Sequence, residues 1–518
     1  MAFLLLCCME NLGLLLFGVI AMLVLPPAAV WLRLRRHGHS GPLPLFPLGN
    51  LMEMSKKKSE SSTSQLVSSN MVTHDIHSSV FPYFSRWRKT YGNVFIYWLG
   101  AEPFLYVADP EFLRRATSGA LGKKWGKPNV FKNDRKPMFG RGLVMVEGDD
   151  WSRHRHIISP AFSMSNVNNM VSVMEETTQK MLKEWGEQLA MAEHEIVDVE
   201  SGITKNAAEI IAKTSFGISE DKGKKVFEKL QLMQQLLFKS NRLVGVPFGK
   251  LLCAKKSYQA WKLGNEIDEL LYAIIESRKG QTSSNTGVST VDLLGLLLAG
   301  NQEKAELERR LTTRELVDEC KTFFFGGHET TALALSWTLL LLALHPEWQT
   351  ALREEVMQVS GGRPLDAGML SKLTKMGWVW SEVLRLYSPA PNAQRQARED
   401  IQVGEVVIPK GTNMWVDVVG MHHDAALWGD DANEFRPERF GGEEAQGGCK
   451  HRMGYLPFGF GGRMCVGRNL SAMEFKVVLS LVLREFSLAV SPAYSHAPRI
   501  MLSLRPSSGV QLIIRRIS

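Results

Sequence analysis

One thiol, Cys465, stands in the stretch "YLPFGFGGRMCVGRNLSAMEF", with three glycines shortly before it and Arg463 and Arg468 close by. The run that follows, Asn469 to Phe486, has a long amphipathic helical pattern, which puts the thiol at or just before a helix N-terminus. There, backbone N–H groups and neighbouring cations favour a thiolate. The glycines let backbone approach something bulky and flat and aim N–H donors at the sulfur. A nucleophilic cysteine with a histidine partner and a small buried residue remain alternatives. A phosphate-cradling loop does not, because G-x-G-x-x-G would need glycine at Met464 and no G-x-x-x-x-G-K-[ST] occurs.

A second constellation is "TFFFGGHETTALALSW", Thr322 to Trp337. Two glycines inside a helix cost about 1 kcal/mol each against alanine. At helical spacing Phe323, Gly326, Gly327, Thr330 and Ala334 share a face, a flat strip of small residues with a hydroxyl beside it, on which a planar group or another helix can press. Glu382 and Arg385 stand three apart, a spacing that ordinarily makes a surface ion pair of a few tenths of a kcal/mol. Trp151 and Arg155 stand four apart on one helical face. His422-His423-Asp424 has no H-E-x-x-H and no second cluster behind it, and reads as a turn.

The elements that position these groups are mostly helical. Val167–Leu189, Lys224–Ser240, Ala260–Arg278 and Thr313–Leu344 carry 3.6-residue periodicity. "FIYWLGAEPFLYVAD" reads as a hairpin, and the C-terminal "IMLSLRPSSGVQLIIR" as another, turning at Pro506-Ser507-Ser508-Gly509. The 518 residues, 45% of them hydrophobic, are enough for a large core. Six cysteines at unrelated spacings give neither a disulfide framework nor a zinc site.

From Leu12 to Leu32 no residue is charged, and 21 residues at about 1.5 Å rise span roughly 30 Å, a bilayer core. Arg33, Arg35 and Arg36 follow, no basic residue precedes, and the positive-inside rule keeps the remainder cytosolic. The expected division is residues 1–11 as a short luminal terminus, 12–32 as a transmembrane anchor kinked at Pro26-Pro27, 33–50 as a basic and proline-rich hinge, and 51–518 as the catalytic domain. The net charge is +8, of which six basic residues against Glu53 between Arg33 and Lys58 supply +5, so anionic headgroups rather than nucleic acid are the implied partner.

"FGFGGRMCVG" matches F-x-x-G-x-R-x-C-x-G in full at Phe458, Gly461, Arg463, Cys465 and Gly467, and resembles the cysteine-ligand loop of the cytochrome P450 family. "GGHETT" is similar to that family's oxygen-binding motif, with Glu329 and Thr330 as the acid-alcohol pair, and "SEVLRLY" and "FRPERF" to its E-x-x-R and P-E-R-F motifs. The resemblance implies a mainly α fold with small β-sheets (α+β). It implies haem b with Cys465 as axial ligand of the iron and Gly326 and Gly327 against the ring. Trp151, Arg155, Arg395 and Arg463 would be propionate contacts, and Glu382, Arg385 and Arg439 a structural network.

"HRMGYLPFGFGG" and "RGLVMVEGDDWSRHRHIISPAF" resemble microsomal plant members of the seventy-two clan. The implied reaction is hydroxylation of a lipophilic substrate with O2 and electrons from NADPH through NADPH-cytochrome P450 reductase, at the endoplasmic reticulum membrane. An isoprenoid-derived hormone (cytokinin, gibberellin or brassinosteroid type) is the first substrate reading and a fatty acid the second. Substrate contacts are expected from Phe323, Phe324 and Phe325, from Pro389 and Ala390, from the Asn129–Met138 loop and from Ser507. The rival from another class is a membrane-tethered haem sensor or carrier, which has no need of the Glu329-Thr330 pair. Lys450, Arg452, Arg468 and Lys476 are the expected reductase-facing cations.

Overall fold

The computed structural model describes residues 2–55, 72–191, 195–218, 220–238, 243–283, 292–300, 310–442 and 446–517. The helices that matter for the site are α1 (Ala2–Arg36), α2 (Gly148–Ile158), α3 (Val171–Met191), α4 (Val199–Phe216), α5 (Glu220–Phe238), α6 (Ala254–Ser283), α7 (Thr313–Leu344), α8 (Thr374–Leu386) and α9 (Arg468–Glu485). The expected helical runs fall on α3 and α5 to α7, except that Val167 and Asn168 end a separate short helix, Met164–Asn168, before α3 begins. Ser240 lies outside the described residues.

Helix α7 organises the molecule. A capping box begins it: Thr312 Oγ1 accepts from Glu315 N, while Glu315 Oε2 accepts from Thr312 N at 2.8 Å. Pro346 follows its C-cap His345. Its 32 residues extend about 48 Å. Leu339 to Leu342 are fully buried, and the helix packs against α4, α6, α8 and α9. A helix apolar on nearly every face belongs inside a large core.

The strands form small sheets. The largest is built from β1 (Val94–Leu99), β2 (Glu102–Val107), β3 (Trp125–Gly126), β5 (Asn392–Ala397) and β8 (Asn413–Asp417), in the order β1-β2-β8-β5-β3. The expected β1–β2 hairpin is present, pairing Leu99 with Glu102. A two-stranded ribbon joins β6 (Ile401–Val403) to β7 (Val406–Ile408). In the third sheet β12 (Gln511–Arg516) lies between β4 (Ile196–Asp198) and β9 (Phe486–Val490).

The C-terminal hairpin is not where the sequence expectation puts it. β10 (Pro498–Met501) pairs with β11 (Ser503–Pro506) and turns at Leu502, which takes a left-handed φ of 69°. Pro506, without an N–H, ends that ribbon. The Ser507–Gly509 segment instead carries the chain to another sheet, where Val510 N donates to Asp198 Oδ1 at 3.0 Å. Turn residues mark a change of direction, and here two sheets rather than one receive the flanking strands.

The proline-rich segment docks on the first sheet. Ile96 N donates to Ser40 O at 2.8 Å, and Asn50 Oδ1 accepts from Trp98 N at 2.9 Å. Helix α1 runs unbroken through Pro26 and Pro27. Among the described residues no helix is long and apolar enough to cross a membrane. The expected 12–32 anchor lies partly outside them, since the side chains of residues 1–17 and 19 are not described.

Candidate functional site

The cysteine loop is held from several directions. Cys465 N donates to Phe458 O at 2.9 Å and Met464 N to Gly461 O at 3.1 Å. Gly459 and Gly461 take φ of 76° and 63°, a backbone region closed to most side chains. Gly467 is the N-cap of α9, so the thiol sits just before a helix N-terminus, as its sequence context requires. From α2, Arg155 Nη1 donates to Met464 O at 2.7 Å, and Trp151 lies over Gly462, where a Cβ would come within 3.3 Å of the indole.

The thiol faces an open space beside the loop, yet the protein packed around it raises its pKa despite opposing contributions from the Gly467 amide, Arg155 and Arg468. The helix terminus and cations therefore do not by themselves make a thiolate here. A metal would have to release that proton on binding.

A group of guanidiniums lies beside the loop. Arg395, 7% exposed, stacks on Phe460 at 5.0 Å and donates to Gln394 O. Arg463 stacks on Trp151 at 4.9 Å and donates to Val146 O. Burial and mutual repulsion pull Arg395 down to about 10, and burial pulls Arg463 to about 10 as well. Lys127 is driven well below its ordinary value by burial, then by Arg395 and Arg463. Arg155, Arg395 and Arg463 form no ion pair among the described residues, although Glu147 stands near, held by Arg398, Lys132 and the Lys127 amide. A thiol plus buried cations without carboxylates of this chain fits a planar, dianionic, metal-bearing group.

On α7 the two glycines do different work. Gly326 is exposed, with nothing within 4 Å of the place a Cβ would take, whereas a Cβ on Gly327 would overlap Ile211 of α4. Gly326 is thus the open surface, and Gly327 is the close helix contact. Thr330 Oγ1 donates to Gly326 O at 2.7 Å. Glu329, 2% exposed, turns to another wall, where Oε1 accepts from Ser503 Oγ at 2.6 Å and Gln234 Nε2 at 2.8 Å, with Arg505 at 3.7 Å. The acid and the alcohol are neighbours in sequence but do not touch the same space.

A cavity of about 220 Å³ adjoins Gly326, walled by Phe131, Phe139, Phe325 and Leu502, with Arg135 and Gln394 at its edge. Phe131 and Arg135 come from the expected Asn129–Met138 segment, which is two short helices rather than a loop. Phe323 and Phe324 do not line it: Phe323 packs on Phe162, and Phe324 stacks on Phe216 with centroids 4.2 Å apart. Pro389 is buried, its carbonyl accepting from Leu504 N, and Ala390 is exposed. Ser507 donates to Ala497 O and borders a separate polar pocket with Gln231, Gln235 and Arg499.

Glu382 and Arg385, expected with Arg439 as a structural network although their spacing is that of an ordinary surface pair, are fully buried. The five guanidinium donors of Arg385 meet both Glu382 oxygens and the carbonyls of His422, Ala432 and Glu434. Arg439 Nε adds a bond to Glu382 at 3.1 Å. His422 is the residue sequence reasoning missed: Nδ1–H donates to Arg385 O at 3.1 Å, and Nε2 accepts from Leu456 N at 2.9 Å. Burial lowers its pKa to about 3, in keeping with a neutral ring tying this network to the loop ahead of Cys465. The described residues hold no metal-binding cluster of His, Cys, Asp and Glu. Of the expected reductase-facing cations, Lys450, Arg452 and Arg468 are exposed, while Lys476 is partly buried and donates to Leu370 O at 2.8 Å.

Comparison with known proteins bears on the same residues. The family pattern described as "Cytochrome P450" matches residues 65–514. A "Cytokinin hydroxylase" of Arabidopsis thaliana is 37% identical over 96% of this chain and 95% of its own length. "Cytochrome P450 714C2" of Oryza sativa subsp. japonica is 36% identical over 97% of this chain and 96% of its own. The crystal structure of the "cytochrome P450DA heme domain" superposes with a TM-score of 0.75 at 23% identity, covering 93% of this chain and 98% of that one.

Proposed function

Since the chain belongs to the cytochrome P450 family and is thereby an oxygen-incorporating oxidoreductase, we propose that it hydroxylates a compact, lipophilic, isoprenoid-derived plant hormone. Cys465 would hold the haem iron, Trp151, Arg155, Arg395 and Arg463 the propionates, and Gly326 would face the ring. Haem bound there supplies the activation of O2 that no side chain can. The chain's own contribution is to exclude water, orient the substrate and manage protons. Thr330 Oγ1 is bonded to the Gly326 carbonyl and Glu329 lies on the Ser503 side, so a proton passing between them needs a rotamer change or a water.

The observation that carries the substrate reading is the cavity beside Gly326, small and walled by three phenylalanines and Leu502. Such walls favour a compact ring or short prenyl body over an extended fatty-acyl chain. The names of the relatives support a hormone, and this reading includes membership of the seventy-two clan.

The membrane part of the proposal places α1 in the endoplasmic reticulum bilayer with the catalytic domain cytosolic. It is supported by the uncharged Leu12–Leu32 stretch and by exposed Leu43, Leu45, Phe248, Leu251, Leu252 and Trp261 beyond it. Electrons would come from NADPH-cytochrome P450 reductase, with Lys450, Arg452 and Arg468 as its docking cations.

A reduced-CO difference spectrum tests the haem-thiolate assignment, and product analysis with reductase, NADPH and a panel of cytokinins, gibberellins, brassinosteroids and fatty acids tests the substrate. Turnover of one hormone class is expected. Turnover of fatty acids alone would replace the hormone reading, and haem binding with no turnover of any compound would favour the sensor.

A further inference from the structure

Helix α2 carries Trp151 and Arg155, and between them sits His154, fully buried and facing α7. Its Nδ1 lies 2.6 Å from Glu319 Oε1, and its Nε2 lies 3.2 Å from Glu315 Oε1. Glu319 is fully buried; the Leu143 amide approaches its carboxylate, but its Oε2 has no well-formed hydrogen bond from a described residue. Arg153, the nearest cation, is committed elsewhere: it binds Glu315 through both terminal nitrogens and the carbonyl of Arg310, and only grazes His154 Nε2 at 3.3 Å.

A neutral imidazole beside an ionised Glu319 would leave a buried negative charge with no cation paired to it, a costly arrangement. One further proton on the pair removes that charge, whether as imidazolium with carboxylate or as imidazole with carboxylic acid. The short Nδ1–Oε1 distance is that of a charge-assisted hydrogen bond.

We propose that His154 and Glu319 retain one shared proton and act as positioning residues, a clamp that pins α2 to α7 and so sets Trp151 and Arg155 against the cysteine loop. The inference rests on the haem reading above, because those two residues matter to function only if they hold the group beside Cys465. Glu319 lies two turns before Gly326, so the clamp fixes the spacing of the walls that carry Arg155 and Gly326.

The groups facing the pair are Arg153 and Asp150 of α2, Glu315, Asp318 and Cys320 of α7, and the Leu143 amide and Arg310 carbonyl from the adjoining segments. Burial opposes charge on His154, and the bonds to Glu319 and Glu315 more than offset it, so its pKa is raised; burial raises that of Glu319. Both shifts have one sign. The folded pair keeps its proton to higher pH than the unfolded chain does, so the clamp is intact below the ordinary histidine range and weakens as pH rises through the folded values.

The experiment measures transfer of haem from the holoprotein to excess apomyoglobin from about pH 6.5, the ordinary histidine value, up to about pH 9. Wild-type haem loss is expected to accelerate several-fold across that interval as the pair gives up its proton. His154→Gln, which can still donate to Glu319 but does not titrate, and Glu319→Gln should each give a pH-independent rate, faster than wild type at the acid end. His156→Gln, exposed on the same helix, should keep the wild-type slope. Far-ultraviolet circular dichroism establishes that each variant is folded. A flat wild-type profile, or a wild-type slope retained by both pair variants, overturns the clamp while leaving the haem reading intact. Wild-type protein that takes up no haem removes that reading, and the clamp with it.

Discussion

Arg385, fully buried, and the less completely buried group Arg155, Arg395 and Arg463 differ in what the chain provides around them. Arg385 has an acceptor for each of its five N–H groups, with Glu382 as counter-charge and Trp428 beneath it at 5.0 Å. Arg155, Arg395 and Arg463 each have a backbone carbonyl, and Arg395 and Arg463 an aromatic face, but none has a carboxylate in an ion pair among the described residues. The same residue type therefore serves two ends. The first group is complete within the polypeptide and contributes to folding. The second carries positive charge that the fold does not neutralise, which is useful only toward an anionic partner.

The comparison can be tested most severely at the sulfur between the two groups. Cys465→Ser should abolish the thiolate-type reduced-CO band while Cys449→Ser, buried away from the site, leaves it unchanged. Survival of that band in Cys465→Ser would remove the second group's purpose as argued here.

Next come matched truncations. Arg385→Ala strands Glu382 in the core and should cost about 3–5 kcal/mol of stability in the haem-free protein. Arg395→Ala removes an uncompensated buried cation and should cost about 1 kcal/mol or less of that stability while weakening haem uptake. Urea unfolding and haem titration of both variants decide the matter, and equal stability losses would collapse the distinction.

Acid should separate the groups further. Burial lowers His422 to about 3 and His423 to about 4, both beside Arg385. Their contribution is present above the unfolded histidine value and is lost as pH falls below it, because the unfolded chain then binds protons the folded one refuses. At pH 5 each should cost about 2 kcal/mol relative to pH 7. Haem-free protein whose unfolding free energy stays level between those pH values would contradict the assignment of neutral, buried rings.

A stability effect as small as that of Arg395→Ala is expected at Thr330, which belongs to neither group. Thr330→Ala should shift stability by about 1 kcal/mol or less and leave haem uptake unchanged. What should change is the ratio of product and peroxide formed to NADPH consumed. An unaltered ratio would confine Thr330 to packing.

The contrast also shows what could be read without coordinates. Cys465, its glycines and the spacing of Glu382 to Arg385 are local patterns, and the sequence points to them directly. Whether an i, i+3 ion pair is surface ornament or buried keystone depends on segments far along the chain: Ala432, Glu434 and His422 come to Arg385 only through tertiary folding. Phe325 was inseparable from Phe323 and Phe324 because α7 is buried on nearly all sides, which erases the periodic signal that normally marks a face. The role of His422 was hidden for the same reason, since its partners Arg385 and Leu456 stand 37 and 34 residues away. The C-terminal turn was seen, but not that its two flanks enter different sheets.

That crossing has a consequence for biosynthesis. In the sheet ordered β4-β12-β9, the central strand is the one translated last, and both neighbours pair only with it. Ile196–Asp198 leaves the ribosome long before Gln511–Arg516 exists, so the start of α4, anchored through Val199 N to Val510 O at 2.9 Å, must stay unlatched for most of synthesis. Because α4 is the helix packed against Gly327, a nascent chain stalled before residue 510 would lack the carbonyl that anchors the start of that helix.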